Sequence, residues 1–211
     1  MHARWYFDFI SPFAYLQWPR IRALSSAVSF DYRPILFAAI LDHHGQKGPA
    51  EIARKRAFTY RFVQWRADRL GIPLRFPPAH PFNPLAALRL CIAAGSTPAA
   101  ITAVFDHLWR DGARGDDAAS LAEVARGLGI DDVDASIAAP EVKAALKRNT
   151  DAALADGVFG VPSIVVGEAV FWGEDATAMF EQFVADPTLF EGEEMRRISR
   201  LPEGVRRSAA R

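Results

Sequence analysis

Residues 4–10, Arg-Trp-Tyr-Phe-Asp-Phe-Ile, alternate aromatic and other strand-favouring side chains and halt at Ser11-Pro12. That pattern predicts a short strand followed at once by a helix, because serine caps a helix start and proline is tolerated in its first turn. Phe13, Leu16, Trp18 and Ile21 carry a helical apolar face to about Leu24, and residues 28–34 read as a second strand ended by Pro34. The connecting helix is long enough for a parallel crossover. From about Phe37 to Asp156 the period changes to 3.6, with amphipathic helices expected over 50–70, 83–94, 98–111, 118–128 and 140–156. Thr97-Pro98 and Ser120, three residues before Glu123, look like helix starts. Strand character returns in Ser163-Ile164-Val165-Val166 and Ala169-Val170-Phe171-Trp172, joined by Gly167-Glu168, and a last helix opens at Gly173-Glu174-Asp175 and runs to about Ala185.

The order βαβ, helical block, ββα predicts an α/β, thioredoxin-like fold with a large all-helical insertion. Residues 1–38 and 157–190 form the discontinuous thioredoxin-like domain, 39–156 the inserted helical domain, and 191–211 a basic C-terminal tail. Tyr6, Tyr15, Trp18, Phe58, Trp65 and Trp109 fall at spacings expected to pack into a core, or for some of them to line an aromatic substrate pocket between the two lobes.

Charge removes several function classes. Lys plus Arg and Asp plus Glu number 25 each, so no global field favours nucleic acid or an anionic membrane. No signal-peptide layout or membrane-spanning apolar run is expected. The single cysteine, Cys91, excludes an internal disulfide and sits at helical spacing with Leu88 and Ile92, as a buried structural thiol would. A cytoplasmic protein is the expectation. His43-His44 and Asp116-Asp117 lack the spacing of zinc or calcium ligands, and no metal site is expected.

Three places could carry chemistry. Ser11 stands at a helix N-terminus, where the macrodipole and free N–H groups would stabilise a thiolate; with Ser11-Pro12-Phe13-Ala14 in place of a redox cysteine motif, thiol–disulfide exchange by this segment is ruled out. Gly160-Val161-Pro162 enters an edge strand and could leave the Val161 backbone free for a peptide-like ligand. Trp172-Gly173-Glu174-Asp175 joins strand to helix, offering N–H groups to a carboxylate and Asp175 to an ammonium, the two charges of an amino-acid head group.

With the segment Phe7-Asp8-Phe9-Ile10-Ser11-Pro12-Phe13-Ala14-Tyr15, these sites resemble the 2-hydroxychromene-2-carboxylate isomerases and the related kappa-class glutathione transferases, in the group typified by DsbA. The resemblance covers about residues 4–185 and includes Gly71-Ile72-Pro73 and His80-Pro81-Phe82-Asn83. It implies glutathione as cofactor, with Ser11 on its sulfur and Val161, before a cis Pro162, on its cysteine backbone. Asp175, with Gly173 and Glu174, would hold the γ-glutamyl head, Lys55 the glycyl carboxylate, and Gln46 would replace an asparagine of the kappa class. The implied reaction interconverts 2-hydroxychromene-2-carboxylate and trans-o-hydroxybenzylidenepyruvate-type aromatic 2-oxo acids in aromatic catabolism, through transient thiolate addition. A kappa-like transferase acting on small electrophiles is the alternative, a non-catalytic thioredoxin-like binding protein a third reading, and a homodimer is implied. Ala176 departs from the family pattern, as does the absence of a lysine near Leu41 and a tyrosine near His80. Arg33, His80 and Asn83 remain as candidates on the substrate side.

Overall fold

The computed structural model describes residues 1–205. Four strands, β1 (His2–Phe7), β2 (Ser29–Pro34), β3 (Ser163–Val166) and β4 (Ala169–Trp172), form one sheet in the order β2-β1-β3-β4. β1 and β2 are parallel, with Tyr6 opposite Arg33; β3 runs antiparallel to β1, with Tyr6 opposite Ser163, and to β4. Between β1 and β2 lies α1 (Pro12–Leu24). The segment between β2 and β3 holds α2 (Phe37–His43), α3 (Ala53–Leu70), α4 (Leu85–Ala93), α5 (Pro98–Phe105), α6 (Ala118–Gly127), α7 (Val133–Ala138) and α8 (Pro140–Ala155); α9 (Thr177–Ala185) and α10 (Glu193–Ile198) follow β4. A single turn of 3-10 helix, Pro49–Glu51, precedes α3, and a π turn, Asp106–Arg110, extends α5.

Alternation along β1 divides the interior. Ala3, Trp5 and Phe7 face one side with α1 and α9, and their cluster runs without a break into α4, α5 and α6 through Phe105, Leu108 and Trp109. Trp5 stacks on Phe7 at 4.2 Å and on Trp18 at 5.1 Å, and its Nε1 donates to Gln17 Oε1 at 2.7 Å. Truncating such a buried tryptophan to alanine typically costs ~3–5 kcal/mol, so this stack is a principal anchor of the sheet. Tyr6 and Val165 face the other side, where Ile40 of α2 and Ala153 of α8 cover them. A sheet with two apolar faces needs both covered, and helices of the 39–156 segment supply the second cover.

Several local expectations change. The short helices α2 and α7, of 7 and 6 residues, were not evident from the apolar period, which needs two turns or more to show. The cap of α6 is Asp117, whose carboxylate accepts from Ser120 N–H at 2.7 Å, so Ser120 is the third residue of the capping box and not its start. The last helix begins at Thr177, which places Glu174 and Asp175 in the turn before it. Phe58 and Trp65, expected in the core, are 66% and 52% exposed. The expected tail begins with the helix α10, while residues 206–211 lie outside the described ones. No helix among the described residues is long and apolar enough to cross a membrane.

Candidate active site

Ser11 caps α1: its Oγ accepts the Ala14 N–H at 3.3 Å, its backbone is extended, and the residue is 7% exposed. Among the described residues the hydroxyl proton has no acceptor, and Phe13, following a proline without an N–H, has an unpartnered N–H in the first turn. A weakly solvated hydroxyl, a free amide and the positive end of a 13-residue helix therefore converge, which is a site for an anion.

The other two sequence motifs lie at the same end of the sheet. Continuing the β1–β3 register past Ser163 brings Val161 opposite Asp8, where the chain leaves β1 for Ser11. The Val161–Pro162 peptide is cis, and the Val161 N–H and C=O have no protein partner among the described residues. Gly160 has its place because the Trp172 indole lies where a side chain would project. Pro162 C=O accepts the Gly173 N–H at 2.9 Å, and Gln17 of α1 donates to Gly173 C=O at 3.1 Å and to Thr177 Oγ1 at 2.9 Å. These bonds fix the Gly173 turn against α1. Gly173 has φ of 95° and the Asp175 carboxylate folds over its Cα, so a side chain there would be strained and would collide with Oδ1. Asp175 is exposed, and the Glu174 and Asp175 N–H groups are unpartnered. Glu174 differs from its neighbours: its carboxylate is buried and accepts from Arg66 Nε at 2.8 Å and Nη2 at 3.0 Å. Only its main chain is left to a ligand.

That bidentate pair ties α3 to the site, and the Phe62 ring lies 6.2 Å from Phe13. Lys55 stands three turns before Arg66, about 16 Å along the helix at 1.5 Å per residue. Arg54, Lys55 and Arg56 crowd the first turn of α3, with no acid there, so the helix dipole opposes them. Lys55 is exposed, as is Gln46, which lies on the loop after α2.

The three substrate-side candidates are otherwise engaged. Arg33 is held by Asp31 through Nε at 2.7 Å and Nη2 at 2.6 Å, and projects with Tyr6 to the face away from α1. Asn83 Oδ1 accepts the Leu85 N–H at 3.1 Å at the start of α4. His80 is turned inward: Nε2 lies 2.8 Å from Ile10 C=O and Nδ1 2.7 Å from the Tyr60 hydroxyl. Burial holds its pKa below the usual value, so the ring is neutral near pH 7. Cys91 is fully buried and its thiol is pushed up to about 12, which leaves it inert.

Sequence reasoning missed Arg66, Tyr60 and Asp8. Nothing local marks the first two, whereas Asp8 carries a signal: a lone acid closing an aromatic strand. It is fully buried, its carboxylate accepting the Ile10 N–H at 3.0 Å and the Phe37 N–H at 2.9 Å, and desolvation raises its pKa to about 7 against those bonds.

A family model of the DSBA-like thioredoxin domain matches residues 4–185. A 2-hydroxychromene-2-carboxylate isomerase of Pseudomonas sp. (strain C18) is 32% identical over 189 residues, covering 85% of this chain and 88% of its own. Glutathione s-transferase kappa 2 of Caenorhabditis elegans is 27% identical over 206 residues, covering 87% and 92%. Among solved structures, that of a 2-hydroxychromene-2-carboxylate isomerase superposes with a TM-score of 0.75 at 26% identity, over 96% of this chain and 100% of that one.

Proposed function

This chain belongs to the DSBA-like thioredoxin family and, within it, to the 2-hydroxychromene-2-carboxylate isomerases, and from that premise we propose that it is a glutathione-dependent isomerase of aromatic 2-oxo acids. The observation that carries the reading is the set of groups with unfilled capacity at one end of the sheet: the Ser11 hydroxyl proton, the Val161 backbone beside cis Pro162, and the Glu174 and Asp175 N–H groups with the exposed Asp175 carboxylate. They match, in order, a thiolate, a cysteinyl main chain and an α-amino acid head. Lys55 takes the glycyl carboxylate and Gln46 borders it. Lowering the bound thiol by two pKa units from its usual ~8.5 needs ~2.7 kcal/mol, within reach of one charge-assisted hydrogen bond plus the helix dipole.

In the proposed cycle the thiolate sulfur bonds to the conjugated carbon β to the oxo group, and the π electrons move onto the oxo oxygen as an enolate. The former double bond rotates. The electrons return, the C–S bond breaks, and the thiolate is regenerated; attack or departure of the phenol oxygen at C2 closes or opens the chromene ring. Addition and elimination replace one high barrier by two lower ones. Ser11 and the Phe13 N–H hold the sulfur charge before addition and again once elimination has regenerated the thiolate. A transferase reading, in which addition to an electrophile is final, is supported by the kappa-class relative. The same reading includes a cytoplasmic location, consistent with a single buried thiol, and a homodimer by family resemblance.

Calorimetry of glutathione with wild type and Ser11→Ala, with ultraviolet titration of the bound thiol, tests this. Saturable binding with a lowered thiol pKa that Ser11→Ala restores is expected, together with chromene-carboxylate turnover that leaves the glutathione concentration unchanged. Absence of binding at millimolar glutathione would overturn the proposal, and stoichiometric glutathione consumption would select the transferase.

A further inference from the structure

The chain segment that delivers Ser11 is held by side chains from distant parts of the molecule. Phe9 C=O accepts from Trp109 Nε1 at 2.8 Å, and Ile10 N–H donates to Asp8 Oδ1 at 3.0 Å. Ile10 C=O lies 2.8 Å from His80 Nε2, and Ser11 N–H donates to Asp8 C=O at 3.0 Å. The last peptide before Ser11 is thus fixed at both ends, its oxygen by His80 and its N–H by Asp8. Since a carbonyl only accepts, His80 Nε2 carries the proton in the neutral ring, and Nδ1 is an acceptor that competes with the His80 carbonyl for the single Tyr60 hydroxyl proton. Tyr60 Oη also lies 2.6 Å from the His80 carbonyl, so α3 sets the ring's orientation. Phe76, Phe82 and Trp109 pack edge-on around the imidazole at 5.5–6.1 Å.

We propose that Asp8 and His80 are positioning residues for Ser11, clamping Ile10 from two sides so that the Ser11 hydroxyl and the Phe13 N–H meet the sulfur in one geometry. Neither touches the ligand. The inference rests on the reading of Ser11 as the thiolate-stabilising group. A hydrogen bond aimed at an anion loses its value quickly as its angle opens, so a loosened Ile10 would raise the thiol pKa while leaving the amino-acid head group bound.

The test uses His80→Phe, which keeps the ring packing but removes the donor, and His80→Gln, which restores an N–H near the Nε2 position. Asp8→Asn, able to accept only one of its two N–H groups, is a second arm should the phenylalanine variant fail to fold. For His80→Phe the bound thiol pKa is expected to rise by ~1 unit, about tenfold less thiolate at a fixed pH. Glutathione affinity at about pH 5.5, where the bound thiol is protonated in both proteins, should stay within about twofold, since the head-group contacts persist, and His80→Gln should return the pKa towards wild type. A role confined to stability would lower the melting temperature of both variants without moving the thiol. An unchanged thiol pKa in His80→Phe, where Ser11→Ala raises it, would overturn the clamp alone. If wild type binds no glutathione the parent reading fails instead, and the clamp is then judged by amide hydrogen exchange at Ile10 and Ser11. Faster exchange in His80→Phe and Asp8→Asn sustains it, and unchanged exchange overturns it.

Discussion

Two sets of polar groups surround the end of the sheet where β1 gives way to α1, and they differ in what they leave open. Ser11, Val161, Asp175 and the Glu174 and Asp175 N–H groups carry donor or acceptor capacity that no protein group among the described residues fills. Asp8, His80, Glu174, Arg33 and Asn83, as chemically able on paper, are each bound to a protein partner. Glu174 and Asp175 make the contrast within one dipeptide: one carboxylate is buried on Arg66, its neighbour is exposed beside the free amides. Residue type nominates a binding group, and residual hydrogen-bonding capacity decides whether it can serve.

The engaged set should govern stability. Asp8 is the strongest case. Its pKa is raised in the folded protein, from 3.8 to about 7, so the native state binds the proton more tightly than the unfolded chain. The stabilisation is therefore full below about pH 4 and is lost as pH rises through 7. The difference is on the order of 4 kcal/mol at ~1.4 kcal/mol per unit. Urea unfolding of wild type at pH 5 and pH 8 should show about 3 kcal/mol of this loss, the rest falling below pH 5, and Asp8→Asn should flatten it; an unchanged slope would remove Asp8 from the engaged set.

The neighbouring acids sharpen the comparison at smaller amplitude. Glu174→Gln should cost ~2–3 kcal/mol of unfolding free energy, since Arg66 then faces a neutral amide, with only secondary loss of glutathione affinity. Asp175→Ala should do the reverse, weakening glutathione ~10-fold, about 1.4 kcal/mol, at near-constant stability. Calorimetry and denaturant titration on the two variants would show whether the roles are divided this way or exchanged. The smallest effect belongs to Arg33→Ala: turnover and glutathione affinity within ~2-fold of wild type, because its partner Asp31 is on the surface of an edge strand. A tenfold loss of turnover there would return Arg33 to the substrate side.

The aromatic residues show the same limit of reading by type. Trp5, Phe7 and Trp18 stack inside the sheet's larger core, while Phe58, Phe62 and Trp65 stack along α3 with solvent on one side. Both series obey the period of their element. The period identifies which residues share a face, but coverage of that face depends on what packs over it.

What the sequence determined by itself is the set of features written in consecutive residues. The first strand, though it ends at Phe7 and leaves Asp8–Ile10 to a turn, the cap of α1, the Gly167-Glu168 hairpin and the helical block follow from alternation, 3.6-residue spacing and turn chemistry, which act within a few residues. The three motifs of the candidate site were legible for the same reason: each is a junction between elements, where free main-chain groups accompany a short recognisable string. Only the tertiary structure decided which groups remained free. Arg66 meets Glu174 across 108 residues and His80 meets Ile10 across 70, and no local signal carries such a pairing. It arises when helices of the central segment pack against both faces of the sheet, bringing together side chains whose partners are set by burial and geometry, not by sequence spacing.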